Sequence, residues 1–170
     1  MAAANFTKNA IIEAFRTLVQ KSGFDDVTIE KIAKKATVNR QTFYYHFADK
    51  YDLVNHIFYT TLFVPFADTL DNGTVNAAFE QLFTTLEQDR KFFYKLFDSK
   101  ARDNFANYFN ALAKSLLTQL SDGKIKETDI NADFFASGLT GVVTSWCMDS
   151  RDISPQTMAK YACRFTEMFL

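Results

Sequence analysis

Glycine and proline are scarce in this chain, five and two among 170 residues, and that scarcity disfavours a turn-rich β fold. Cysteine and histidine are equally thin, two of each. Cys147 and Cys163 sit within strongly apolar helical stretches, the usual setting of free thiols in a reducing cytosol. His46 and His56 are ten positions apart, which is not a ligand spacing on one helix face. No apolar run nears the roughly 20 residues of a membrane span. Residues 1–20 form an amphipathic pattern broken by Lys8, Glu13 and Arg16, unlike a leader peptide. Also missing are a G-x-S-x-G turn, a glycine-rich phosphate loop and an H-E-x-x-H pair. These absences point away from an enzyme, a metal site, a bound cofactor and a membrane protein, and toward a cytoplasmic one.

What the chain has in abundance is phenylalanine, 19 residues in a sequence that is 48% hydrophobic. Long stretches with helical periodicity predict an all-α protein of about nine helices, an N-terminal three-helix unit followed by a helical bundle. The first helix is expected over residues 6–22, with Ile11, Phe15 and Leu18 inward, Gly23 as its C-terminal cap and MAAAN as an unstructured arm. Thr28 is a good N-cap for the second helix. Asp49 can cap a helix running to Val64, which Pro65 should kink or end. Further helices are expected over residues 74–87, 90–97, 101–120, 128–148 and 154–169, the last opening with Ser154 as cap and Pro155 at the first helical position. The chain divides naturally into residues 1–49 and 50–170.

Within the first part, TIEKIAKKATVNRQTFYYHF, residues 28–47, reads as two short helices about a tight turn. Ile29, Ile32, Ala33 and Ala36 make one apolar face, and Phe43 and Phe47, four apart, point inward together. At 100° per residue Gln41, Thr42, Tyr44 and Tyr45 then fall on the outer side. A solvated helix would carry charge there; this one carries hydrogen-bonding and aromatic groups. Charge is also uneven. Residues 1–50 hold eight basic and five acidic side chains, a surplus of three, whereas the rest holds eleven against fifteen. A basic end on an acidic body suits nucleic-acid binding by that end.

The segment from Asn5 to Val54 resembles the DNA-binding domain of the tetracycline-repressor (TetR) family of bacterial transcription regulators. The residues that carry the resemblance are Gly23, Thr28, Ile32, Ala33 and Val38, then Thr42-Phe43-Tyr44-Tyr45-His46-Phe47 with Lys50 and Leu53 behind. The resemblance implies a helix-turn-helix whose second helix enters the major groove. It makes Thr42, Tyr44, Tyr45 and His46 DNA-contacting positions, and Lys50 a phosphate contact. The side-chain chemistry agrees. Arg40 can reach a phosphate or guanine, Gln41 can pair with adenine, and Thr42 can offer a hydroxyl or pack its methyl on thymine. Thr28, at a helix N-terminus, is placed to aim backbone N–H groups at a phosphate. Plainer roles stay open: Thr28 as an ordinary cap, His46 as a structural histidine, and Lys31, Lys34 and Lys35 as a solvated face. Where the family carries glycine in the turn this chain has Thr37, so the turn is expected to depart slightly from the family's geometry.

The resemblance further implies a homodimer on a near-palindromic double-stranded operator, paired through the last two long helices. Phe135, Leu139, Val142, Met158, Tyr161, Phe165 and Phe169 are the candidates for that interface, with Gly138 and Gly141 permitting close approach; the alternative is that they belong to the subunit's own core. It also implies a small-molecule effector pocket in the body. Phe83, Phe93, Phe97, Tyr108, Phe109 and Trp146 are candidate lining residues. The chain therefore reads as a DNA-binding transcriptional regulator, a repressor released by an effector. The RQTFYYHF stretch also resembles that of activators of dihydroxyacetone-kinase operons, which bind a protein partner instead, and this leaves activation through a partner as the second reading. The third is a helical interaction protein that does not bind DNA.

Overall fold

Helix α1 spans Ala2–Ser22 and ends where Gly23 turns left-handed, φ 82°, its N–H closing on the Val19 carbonyl at 2.8 Å. The structure, a computed structural model, describes residues 2–149 and 152–170, with side chains from Asn5 onward. The stretch expected to be an unstructured arm is helical from Ala2 on. Two short helices follow, α2 (Ile29–Lys35) and α3 (Arg40–His46), and then α4 (Lys50–Phe58). Each begins on a side-chain cap: Thr28, Asn39 and Asp49 accept backbone N–H groups of the first turn. Such a cap is worth about 1 kcal/mol against alanine.

The α-helix expected to run to Val64 stops at Phe58, and after a π turn the helical run continues through Pro65. An α-helix through it would press the proline ring on the Thr61 carbonyl and lose a hydrogen bond, at a cost of about 3 kcal/mol. The chain avoids this by widening one turn. Residues Tyr59–Phe63 are π-helical, with the Val64 N–H reaching back five residues to the Tyr59 carbonyl, and α5 (Val64–Asn72) continues in the same rod. Helices α6 (Val75–Gln88), α7 (Arg90–Phe97), α8 (Ala101–Leu120), α9 (Ile130–Met148) and α10 (Pro155–Glu167) complete the body. With α4, the π turn and α5 counted as one, the described residues form nine helical rods and no strand.

One apolar core runs from α1 to α10. Phe15 of α1 meets Phe24 and Phe92 edge-on, both at 6.2 Å between ring centres, and so joins the first three helices to α7. Beside it the Arg16 guanidinium lies over Phe92 at 4.6 Å and pairs with Asp89. Asp89 also accepts from Gln20 at 2.9 Å. Phe58 on the rod stacks against Phe93 and Phe97 and leans on Phe105 at 4.4 Å. The rod that follows α3 is thereby held by the centre of the body.

Candidate nucleic-acid interface

The turn between α2 and α3 closes by two backbone bonds. Val38 N–H reaches the Ala33 carbonyl at 2.9 Å and Thr37 N–H the Lys34 carbonyl at 3.2 Å, the pairing that ends a helix on a left-handed residue. That residue is Thr37, at φ 58°. The turn therefore takes the conformation glycine would take, and the departure expected from a β-branched residue is absorbed as strain. Val38 then packs on the core, fixing the angle at which α3 leaves.

On α3, Phe43 is fully buried and Phe47 nearly so, as the spacing predicts. Asn39 accepts from both the backbone N–H and the hydroxyl of Thr42, at 2.7 and 3.0 Å. Thr42 thus spends its hydroxyl hydrogen on the cap and keeps a methyl group and an acceptor oxygen for a partner. Arg40 and Gln41 are exposed. Tyr44 lies edge-on to Phe43 with about half its surface in solvent, 49%, while Tyr45 is 80% exposed. His46 is half-buried, edge-on to Tyr45 at 5.0 Å and tilted on Phe47. Five of the residues expected to meet DNA, Arg40, Gln41, Thr42, Tyr44 and Tyr45, are brought onto one short helix, with His46 at its edge.

The two remaining expectations stand apart from α3. Thr28 caps α2, accepting the Lys31 N–H at 3.3 Å, and stays exposed. The Lys50 ammonium donates to the carbonyls of Phe24 and Val27, both at 3.1 Å, and sits 4.1 Å from the Phe24 ring centre. Burial lowers its pKa, with Asp25 opposing. Lys50 therefore ties the α1–α2 loop to the first turn of α4, a task no spacing in the sequence reveals. Lys31 similarly donates to the Asp26 carbonyl at 2.7 Å. Lys8, from the other end of α1, lies 5.4 Å over Phe47. Behind Phe47, at 5.5 Å, His56 is held below its ordinary pKa by burial and then by Lys8, with Asp52 pulling the other way.

In the body, an apolar cavity of about 30 Å³ opens between the rod, α6 and α8. Of the six residues expected to line a pocket only Phe109 lines this one. Phe83, Phe93 and Phe97 are fully buried in the core, because the helices that carry them face the centre of the bundle. Tyr108 is half-buried and packs on the core from outside, and burial raises its pKa. Trp146 instead borders a surface groove with Gly141, Val142 and Tyr161. Its indole N–H donates to the Ile153 carbonyl at 2.9 Å and Arg90 covers its ring. Cys147 beside it is a free thiol, pushed up to about 12 by burial.

The residues expected to pair two subunits divide in the same way. Phe135, Leu139 and Met158 are buried within the subunit, and Phe165 and Phe169 pack on Phe135 at 5.9 and 5.7 Å. Only Val142 and Tyr161 are exposed, joined by Phe134 and Met168, at 66% and 80%. Gly138 lets α10 approach inside the subunit, since a Cβ there would lie 2.8 Å from the Phe165 ring, whereas Gly141 faces open space. Among the described residues no group of His, Cys, Asp and Glu could hold a metal ion, and no helix is long and apolar enough to cross a membrane.

Comparisons with known proteins bear on both parts of the chain. Residues 2–57 match the family profile described as bacterial regulatory proteins, tetR family, and residues 73–168 match a transcriptional regulator C-terminal region of the same group. A dhaKLM operon transcriptional activator, DhaS, of Lactococcus lactis is 25% identical over 127 residues, 72% of this chain; the chain spans 65% of that relative's length. A TetR transcriptional regulator from Streptococcus agalactiae superposes with a TM-score of 0.67 at 20% identity, covering 99% of this chain and 96% of the other. NalD of Pseudomonas aeruginosa, the secondary repressor of the MexAB-OprM multidrug efflux pump, superposes with a TM-score of 0.65 at 20% identity, covering 99% and 97%. Likeness at that identity shows the fold.

Proposed function

The chain belongs to the TetR family of bacterial regulatory proteins, and from that premise we propose a homodimeric repressor that grips a near-palindromic operator and lets go when an effector enters its body. It is a DNA-binding transcriptional regulator of all-α architecture; dimerisation, repression, effector and cytoplasmic placement are the parts proposed. The division of labour is residues 1–49 for DNA and 50–170 for pairing and response. The observation that carries the reading is the outer face of α3, where Arg40, Gln41, Tyr44 and Tyr45 are exposed while Phe43 on the same helix is fully buried. The buried side locks the helix, and the Tyr44 and Tyr45 rings, edge-on to Phe43 and His46, keep about half or more of their surface open. Tyr161, Val142, Phe134 and Met168, exposed on α9, on α10 and just after it, support pairing of two subunits, with recognition helices about 34–36 Å apart or a multiple of that spacing.

Duplexes recovered by selection from a random pool, then titrated by fluorescence anisotropy, test the reading. The selected site should be a near-palindrome. Gln41→Ala and Thr42→Ala should each cost roughly 1–3 kcal/mol on that site and relax sequence preference. Absence of binding at low salt, or Tyr44→Ala and Tyr45→Ala without effect, refutes it.

A second reading, activation through a protein co-regulator, draws support from the small cavity, about 30 Å³, and from the DhaS relative, an operon transcriptional activator. Reporter transcription in cells carrying or lacking the gene separates repression from activation.

A further inference from the structure

We infer that Lys100, at the corner between α7 and α8, is a DNA contact supplied by the body: its ammonium holds a backbone phosphate next to the one expected at Lys50. The inference rests on the DNA-binding reading above and adds a contact from outside the three-helix end. Three pairs of side chains give the register of the two helices concerned. Asn104 of α8 donates to Asn55 of α4 at 2.8 Å, and Phe105 lies 4.4 Å from Phe58. Tyr108, its pKa raised by burial and then by Tyr59, is the third. Residue numbers rise together in all three, so α8 runs in the same direction as the rod that follows α3. At 1.5 Å per residue, Lys100 stands about 6 Å before Asn104 along its helix and Lys50 about 7.5 Å before Asn55. Both lysines are therefore level, at the end of the body where the chain leaves the recognition helix.

The neighbours of Lys100 are already engaged. Ser99 donates its hydroxyl to the Leu96 carbonyl at 2.6 Å and accepts the Ala101 N–H at 3.1 Å. Arg102 turns inward, giving its Nε–H to the Phe97 carbonyl at 2.6 Å and an Nη–H to the Met148 sulfur at 2.7 Å. The backbone at Lys100 is thus braced on both sides. Its side chain is exposed and has no ion-pair partner among the described residues. At Lys50 burial is the largest influence on the lowered pKa; Asp25 opposes it, the charge of Lys100 adds to it, and Asp26 opposes more weakly. Two ammonium groups that feel one another repel, and an anion seated against both relieves the repulsion. Packed helices lie about 8–10 Å apart, and a DNA strand carries a phosphate about every 3.4 Å of its axis. A strand gripped at the start of α4 therefore offers Lys100 a phosphate of its own.

Fluorescence anisotropy of the full chain with the selected duplex and with a scrambled duplex of equal length, across a sodium chloride series, tests the contact. Lys100→Gln should weaken both duplexes alike, about fivefold near 0.15 M salt, and flatten the slope of log affinity on log salt by about 0.9. Lys100→Arg should keep the parent's slope. Lys160→Gln takes the same charge from the exposed side of α10 and should leave the slope as it is. The thermal midpoint of free Lys100→Gln should not fall, because the substitution removes a like charge from beside Lys50, so the slope reports DNA and not folding. Single methylphosphonates placed in turn along the duplex should reveal one position whose neutralisation weakens the parent severalfold and leaves Lys100→Gln unaffected. That position should differ from the one to which Lys50→Gln is insensitive. The inference is overturned if Lys100→Gln keeps the parent's slope, if Lys160→Gln flattens it equally, or if no methylphosphonate position distinguishes Lys100→Gln from the parent. A parent that binds neither duplex at low salt refutes the regulator reading and the inference with it; a parent that binds while Lys100→Gln matches it refutes the inference alone.

Discussion

Thr37→Gly removes a β-branched side chain from a backbone held at φ 58°. An L-residue in the left-handed region is strained by about 1–2 kcal/mol, and glycine adopts it freely. Against that gain, glycine widens the unfolded ensemble by about 0.4–1 kcal/mol. Thr37 is exposed, so little packing goes with its side chain. The two bonds that close the turn run between backbone atoms and survive the change. The net is a stabilisation of roughly 0–1.6 kcal/mol, about 0.8 at the middle of both ranges, at about 2–4 °C per kcal/mol for a domain of this size. Equilibrium urea unfolding should show a higher midpoint at an unchanged m value. Thr37→Ala keeps the strain and should gain far less. Gly23→Ala runs the experiment backwards: at φ 82° an added Cβ meets nothing within 4 Å, so the whole loss, about 1 kcal/mol, is conformational. Operator affinity should not change in Thr37→Gly, because the turn already has glycine's shape. A midpoint that falls, or that matches Thr37→Ala, refutes the strain argument.

Lys50→Ala removes two hydrogen bonds from a cation to the α1–α2 loop and should destabilise the chain by about 1–3 kcal/mol. It should also weaken binding on every duplex alike and lower the salt slope by about one unit; an unchanged slope assigns Lys50 to the loop alone. For His56, whose pKa is lowered by burial and then by Lys8, the unfolded chain takes up its proton first as pH falls through about 6.5. Stability at this site is therefore lost on acidification across that window, down to the depressed folded value. The difference in urea midpoint between about pH 7.5 and about pH 5.5 should shrink in His56→Gln. Phe134→Lys and Tyr161→Lys place charge on the exposed face of α9 and α10, and light scattering should report monomers; dimers that persist would move the interface elsewhere.

The recognition helix was legible because its two faces differ in kind. Phe43 and Phe47 are unambiguous inward markers, and a 100° step from them assigns Gln41, Tyr44 and Tyr45 to the outside. Arg90–Phe97 and Ala101–Leu120 were legible for a related reason, a clear apolar stripe between polar turn residues. Helix α9 carries apolar residues on nearly every side. Phe134 and Phe135 are adjacent, one mostly exposed and one fully buried, and no pattern in the sequence says which faces in. The π turn was hidden because a proline declares only which hydrogen bond is impossible, and gives no sign of how the chain will evade it. Lys50 was read for its charge, while its carbonyl partners lie 23 and 26 positions away in sequence. Such pairings arise only once α1 and α4 have packed.

The Arg16–Asp89 pair has a mechanical meaning. An object pinned at one point can turn about three axes; pinned at two, it can only swing about the line between the pins. The DNA-reading end has one covalent pin, where α3 runs into α4, and a second where α1 meets α7, part ionic at Arg16–Asp89 and part apolar at Phe15–Phe92. With both closed, the motion left to it should be a swing about the line between them, like a gate on two posts. Salt and neutralising substitutions at Asp89 should loosen the ionic part of the second post and leave Phe15 on Phe92. They should leave each recognition helix intact while freeing the direction in which it points.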